Sequence, residues 1–192
     1  LVKLKSHPNV VSYENHGSRE IRGLGTKMLG YDFLIKMELM PYELNEIMHD
    51  GIPPLDEILK IGRDISKALA ACGERNIIHR DIKPSCIFRS EFGDYKLGDF
   101  GEASLREGMN LAKTYRGSLG YMAPEVYRLK DKKYGMGRPY DSRADIYSLG
   151  IVLYQLLNNG YFPLQGKDDD YVYDRLDGKS FGPPKNGDAE LN

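Results

Sequence analysis

Two long helical patterns, near 55–75 and 142–158, bracket three short motifs, and this arrangement constrains the fold more than any other feature. The motifs are His79-Arg80-Asp81-Ile82-Lys83-Pro84-Ser85-Cys86, then Asp99-Phe100-Gly101, then Ala123-Pro124-Glu125. The first helix opens after Pro53-Pro54, with Asp56 and Glu57 placed favourably against its N-terminal dipole. Ile58, Ile61, Ile65, Leu69 and Cys72 recur in steps of three and four, which predicts one buried stripe and makes Cys72 a small core residue. The second helix is apolar nearly all round (Ile146, Leu149, Ile151, Val152, Leu153, Leu156, Leu157), which predicts burial mid-domain, and Asn159-Gly160 supplies its stop. Short strands are predicted at Ile77-Ile78, Ile87-Phe88 and Tyr95 to Leu97, with Gly93-Asp94 turning the chain between the last two.

Ahead of this body the pattern is β-rich. Strands are expected over Asn9 to Tyr13 and Tyr31 to Leu39, joined by a connection carrying Gly17, Gly23, Gly25 and Gly30. Pro41 ends the second strand, and a short helix follows over Tyr42 to His49. Near the other end, Asp168 to Asp170 starts a further short helix that Gly182-Pro183-Pro184 terminates. The class is α+β, a mainly helical portion with a smaller β-rich one.

Composition narrows the function classes. With 192 residues, 41% apolar and 29% charged, the chain is long enough for a substantial core. A net charge of −1 argues against nucleic acid or an acidic membrane surface as partner. Cys72 and Cys86 form no C-x-x-C pair, so neither a disulfide framework nor a zinc site is expected, and a reducing, cytoplasmic setting fits. The most apolar run, Ile151 to Tyr154, is far too short to span a bilayer, so no membrane segment is expected in this chain. Leu1 in place of an initiator methionine, and a Gly/Pro/charge-rich end, read as a piece cut at both ends.

The motifs carry residue types suited to moving a γ-phosphoryl group. Such transfer needs positioning and charge neutralisation rather than covalent help. Asp81 can orient an attacking hydroxyl, Lys83 can neutralise phosphate charge, and Asp99 offers the hard oxygen that Mg²⁺ prefers. Gly101 gives the backbone freedom for the turn that presents Asp99. Each motif alone is weak; the ordered set of three is not.

On these residues the chain resembles the eukaryotic-type (Hanks-type) serine/threonine protein kinase catalytic domain, over nearly its whole length. His7-Pro8-Asn9-Val10 is similar to the entry into the small lobe's fourth strand, and Gly117 to Glu125 resembles the substrate-docking loop. The resemblance implies a kinase-like fold, with 1–40 as a remnant of the small lobe and hinge and 41–192 as an incomplete large lobe. It implies ATP and Mg²⁺ as cofactors and a protein substrate, with phosphate moving to Ser/Thr hydroxyls. Asp81, Lys83 and Ser118 are then catalytic, Ser118 replacing the usual threonine and bridging the other two. Met37, Glu38, Leu39 and Met40 become the gatekeeper and hinge beside the adenine, and Phe88 the floor beneath it. Asp145 anchors the catalytic-loop backbone, with Gly150 as its accompanying glycine, and His79 packs with Phe100 in the regulatory spine. Arg80 pairs with a phosphate on the activation segment, for which Thr114, eleven residues before Glu125, is the preferred site and Tyr115 and Ser104 are weaker ones.

The chain departs from the pattern in three ways. Cys86 stands where the family has a metal-binding asparagine, and a thiol is a poor Mg²⁺ ligand, so only Asp99 of the two metal positions is sound. Losing such a ligand at ~3 kcal/mol would slow transfer about a hundredfold. No glycine-rich phosphate loop, small-lobe lysine or small-lobe glutamate is found, and the arginine that pairs with Glu125 would lie beyond the chain, leaving a partly buried carboxylate unpaired. These 192 residues alone are therefore expected to show no measurable ATP-dependent phosphorylation and to be prone to aggregate. The alternative is a pseudokinase, a nucleotide-binding or scaffolding module; retention of Asp81, Lys83 and Asp99 favours the enzyme.

Overall fold

A computed structural model describes residues 2–22, 28–105, 116–129, 140–165 and 170–184. Thr114 and Tyr115, the basic residues between 130 and 138, and Asp168 to Asp169 lie outside the described residues. The elements run β1 (Tyr13–Arg22), β2 (Met28–Met37), β3 (Tyr42–Glu43), α1 (Leu44–Asp50), α2 (Leu55–Glu74), β4 (Ile77–Ile78), β5 (Ile87–Arg89), β6 (Tyr95–Leu97), β7 (Ser104–Leu105), α3 (Pro124–Tyr127), α4 (Arg143–Leu157) and α5 (Tyr171–Leu176). The arrangement is α+β, with helices dominating one region and small antiparallel sheets the rest.

The core forms where the sequence pattern demands it. The α2 stripe of Ile58, Ile61, Ile65, Leu69 and Cys72 is buried throughout, against Leu149, Val152 and Leu156 of α4 and against Ile87, Tyr95 and Leu97 of β5 and β6. Cys72 is an ordinary core group whose thiol burial pushes up to about 12. Burying each such aliphatic side chain stabilises the fold by about 1.5–3 kcal/mol, which is why this stripe decides the local topology. The predicted all-round burial of α4 is nearly complete, but Ile146 is 52% exposed, so one narrow face of that helix is solvated. Asn159 and Gly160 follow α4 with φ of 54° and 84°, the left-handed exit expected of a helix stop.

The second N-terminal strand, expected over Tyr31 to Leu39, falls mostly within β2 and the segment after it, but the first lies elsewhere than expected. Asn9 to Tyr13 is not a hairpin strand: Val10 and Val11 are buried beside β6, where Val11 N donates to Leu97 O at 2.9 Å and Leu97 N donates to Asn9 O at 2.9 Å. The hairpin strand starts at Tyr13 instead and runs antiparallel to β2 with His16 opposite Ile35 and Ser18 opposite Phe33. Alternation of polar residues in 13–22 carries no buried face, because every β1 residue after Tyr13 is exposed. The short helix predicted from Tyr42 begins two residues later, since Tyr42 and Glu43 pair with Arg89 and Phe88 as β3. Glu125, expected to be partly buried and unpaired, is exposed on α3, so it imposes no buried-charge penalty.

Candidate active site

The first two motifs follow β4 and β6, and Ala123-Pro124-Glu125 opens α3. Asp145, buried at the start of α4, accepts hydrogen bonds from the backbone N–H of His79 and of Arg80, both at 2.8 Å. Two amides aimed at one carboxylate fix the entry to the 79–86 loop, as the resemblance implied. His79 Nε2 lies 2.9 Å from Gly98 O, and the ring meets Phe100 edge-on at 4.7 Å between centroids. His79 thus joins the two motif loops in the core.

Asp81, Lys83 and Ser118 come together. Lys83 Nζ donates to Asp81 Oδ2 at 2.7 Å and to Ser118 Oγ at 3.2 Å, while Ser118 N donates to Asp81 Oδ1 at 2.7 Å. Ser118 reaches Asp81 because Gly117, at φ 114°, lies against the Arg80 carbonyl, where a Cβ would stand 2.3 Å from the oxygen. Only glycine fits there. Burial opposes ionisation of Asp81, but the hydrogen bonds from Lys83 and Ser118 outweigh it and hold the carboxyl below its usual range. The bond to Asp81 likewise raises Lys83 against the effect of its own burial. The pair is ionised near neutrality.

Cys86 lies between the two acidic residues. Its Sγ donates to the Asp81 carbonyl at 3.1 Å and is 3.9 Å from Asp99 Oδ2. Burial, with Asp99 and Asp81 nearby, pushes the thiol up to about 12, so it stays protonated. Asp99 takes a left-handed backbone conformation, φ 51°, at the start of the Phe100–Glu102 turn. Among the described residues no group of three or more His, Cys, Asp or Glu could hold a metal ion. The single carboxylate of Asp99 on the cleft is still compatible with Mg²⁺, which takes one or two protein carboxylates and completes its shell with phosphate oxygens and water.

Beside these groups opens a cleft of about 690 Å³, lined by Val11, Ile35, Met37, Glu38, Leu39, Met40, Glu43, Lys83, Ser85, Phe88, Gly98 and Asp99. All five residues expected at the adenine line it, with Lys83 and Asp99 in the same cavity. Volume and lining fit a nucleotide: apolar walls for a flat base, with a cation and a carboxylate for the phosphates and their metal. Gly98 lets the Phe88 ring and Val11 close in, since a Cβ there would be 2.8 Å from Phe88 Cε2. The Glu38 side chain is committed to bracing: it accepts from Ser12 N at 3.0 Å and pairs with Lys96 Nζ, tying the 37–40 segment to β6.

Arg80 donates through Nε to Glu102 O at 2.5 Å, and Arg116 pairs with Glu102 at 3.3 Å. Both arginines thus meet the turn after Asp99, a link that sequence reasoning did not find. Ser104 is paired with Ile78 in the β4–β7 ladder. A second group escaped the sequence altogether: Arg175 of α5, whose carbonyl acceptors lie 53 to 56 residues away and whose hydroxyl acceptor, Tyr147, lies 28 away, which leaves no local signal.

Comparison with known proteins agrees with this geometry. A family model described as protein kinase domain matches residues 1–181. The chain is 30% identical over 194 residues to CBL-interacting serine/threonine-protein kinase 24 of Arabidopsis thaliana, covering 100% of this chain and 40% of that protein. It is 32% identical over 156 residues to serine/threonine-protein kinase STY17 of Arabidopsis thaliana, covering 79% of this chain and 24% of that protein. With serine/threonine-protein kinase dst2 of Dictyostelium discoideum it shares 34% identity over 154 residues, 79% of this chain and 12% of the other. The chain spans 40% or less of the length of each of these relatives.

Proposed function

Because this chain belongs to the protein kinase family, we propose that it transfers the γ-phosphoryl group of ATP to serine and threonine hydroxyls of protein substrates. One observation carries the reading: Lys83 Nζ is shared between Asp81 at 2.7 Å and Ser118 at 3.2 Å, on the cleft that Asp99 also lines. Asp81 accepts the hydroxyl proton and orients the attacking oxygen; its lowered pKa keeps it ionised for that role. Lys83 bridges that carboxylate to Ser118 and offers positive charge where phosphoryl charge develops. Met37, Glu38, Leu39, Met40 and Phe88 enclose the base.

Asp99 would hold Mg²⁺, which when bound supplies charge neutralisation across the phosphates. Cys86, protonated and soft, would add little to that shell. The site is thus a transfer site short of one good ligand, and nothing in the comparisons favours a purely scaffolding role. Residues 1–40 are taken as the small-lobe and hinge segment and 41–192 as the large-lobe segment of the fold. Arg80 is taken as the partner of a phosphate on the activation segment, with Thr114 its donor position. A cytoplasmic setting fits two cysteines that are both free and buried, and among the described residues no helix is long and apolar enough to cross a membrane.

The test is transfer of radiolabelled phosphate from ATP by the intact protein, with Asp81→Asn as the control. Phosphoserine and phosphothreonine products that vanish in the variant support the reading. Equal labelling by the two proteins, or phosphotyrosine alone, would overturn it.

A further inference from the structure

Arg175 is 2% exposed, yet among the described residues its hydrogen-bond partners are all neutral. A buried guanidinium is ordinarily matched by a carboxylate, because removing the charge from water otherwise costs several kcal/mol. Here Nη2 donates to Gly120 O at 2.8 Å and reaches Leu119 O at 3.4 Å. Nη1 donates to the Tyr147 hydroxyl at 2.7 Å and reaches Met122 O at 3.3 Å, and the guanidinium carbon lies 5.4 Å from the centroid of the Tyr147 ring. Three carbonyls within four consecutive residues therefore converge on one planar cation.

We propose that Arg175 is a positioning residue for protein substrates, acting from α5 through the backbone carbonyls of the 118–122 loop. The proposal rests on the phosphotransfer reading above. Tight turns, Tyr121 N to Ser118 O at 3.0 Å and Met122 N to Leu119 O at 3.3 Å, turn the Gly120 carbonyl toward α5 and leave Leu119 O to share its turn bond with Arg175. Without Arg175 the half-buried Gly120 carbonyl and the buried Met122 carbonyl would lose this donor, and the loop would relax. The residue just upstream is Ser118, whose N–H and Oγ hold Asp81 and Lys83. A shift at Leu119 therefore moves the groups that orient the hydroxyl, while the 37–40 wall of the cleft stays tied to β6 through Glu38. A lysine keeps the charge but not the fork that spans three carbonyls at once.

The experiment compares intact wild type, Arg175→Gln and Arg175→Lys by three readouts. These are amide hydrogen exchange, calorimetric affinity for Mg·ADP, and kcat and KM on a peptide chosen from a degenerate serine/threonine array. In Arg175→Gln, exchange at 118–122 is expected to rise about tenfold with α2 amides unchanged, and peptide kcat/KM to fall about tenfold to a hundredfold, with Mg·ADP affinity within about twofold. Arg175→Lys is expected to regain part of the protection at 118–122 and only part of the peptide kcat/KM. Unchanged exchange at 118–122 overturns the proposal. So does protection lost throughout the chain in both variants, or nucleotide affinity falling in step with peptide turnover, because either makes Arg175 a general strut. A wild type that binds Mg·ADP but labels no peptide defeats the transfer reading instead; the selective exchange change then still supports the grip of Arg175 on the loop.

Discussion

The helical body and the β1–β2 hairpin carry similar apolar residues and put them to opposite use. In the body, Ile61, Ile65 and Leu156 are fully buried between α2, α4 and the β5–β6 ladder. In the hairpin, Phe33, Leu34 and Ile35 are 79%, 59% and 55% exposed, although both strands are long and pair in one register from Asn15 to Ile21. Hydrogen-bonded pairing alone does not make a core; a face is stabilised only when another layer removes it from water. The motif loops leave the body, and the hairpin gives the cleft one wall through Ile35, Met37 and the segment that follows.

The sharpest way to break this contrast is chemical. Asp81→Asn should lower transfer by on the order of a thousandfold while lowering the urea midpoint far less than a core truncation does, because it removes the proton acceptor and one ion pair but none of the packing. Labelled-phosphate turnover and a urea titration on one sample check both halves. Within the body, Ile65→Ala should destabilise by about 2–5 kcal/mol, read as a lowered urea midpoint at constant slope. Cys86→Asn should raise turnover by up to about a hundredfold and lower the Mg²⁺ concentration needed for half-maximal rate; an unchanged rate would show that the thiol is not what limits the site.

The pH dependence of the site is expected to be quiet. Asp81 contributes stability above its unfolded value near ~3.9, lost as pH falls through its lower folded value. Lys83 contributes below its unfolded value near ~10.4, lost as pH rises through its higher folded value. Between about pH 5 and 9 neither titrates, so Lys83→Met should shift the urea midpoint equally at pH 5.5 and 8.5. A difference between those two values would contradict the ionised pair. The smallest effect is reserved for the hairpin: Phe33→Ser should change stability by no more than about 0.5 kcal/mol. A loss comparable to that of Ile65→Ala would erase the distinction between the regions.

How much was legible in the sequence follows the same division. The α2 stripe was readable because its period and its burial coincide, and Asp81, Lys83, Ser118 and Asp99 were readable because motif order fixes the loops that carry them. The first strand of the hairpin was misplaced because Val10 and Val11 look like strand but are claimed by β6, a partner more than eighty residues away. Ile146 was wrongly buried because helix periodicity cannot say which face lacks a neighbour. Glu38 bracing Lys96 and Arg175 gripping carbonyls were invisible for a further reason: long-range contacts between side chains, or onto backbone, leave no mark in local composition.

The glycine at position 117 has a practical consequence. Even alanine there must push back the Arg80 carbonyl or lift Ser118 off Asp81, because the added carbon would sit at 2.3 Å. Gly117→Ala is thus a way to separate the two loops without removing any charge or any wall of the cleft. It gives the experimenter a silent twin of the protein, intact as a receptor for nucleotide and deaf to the hydroxyl.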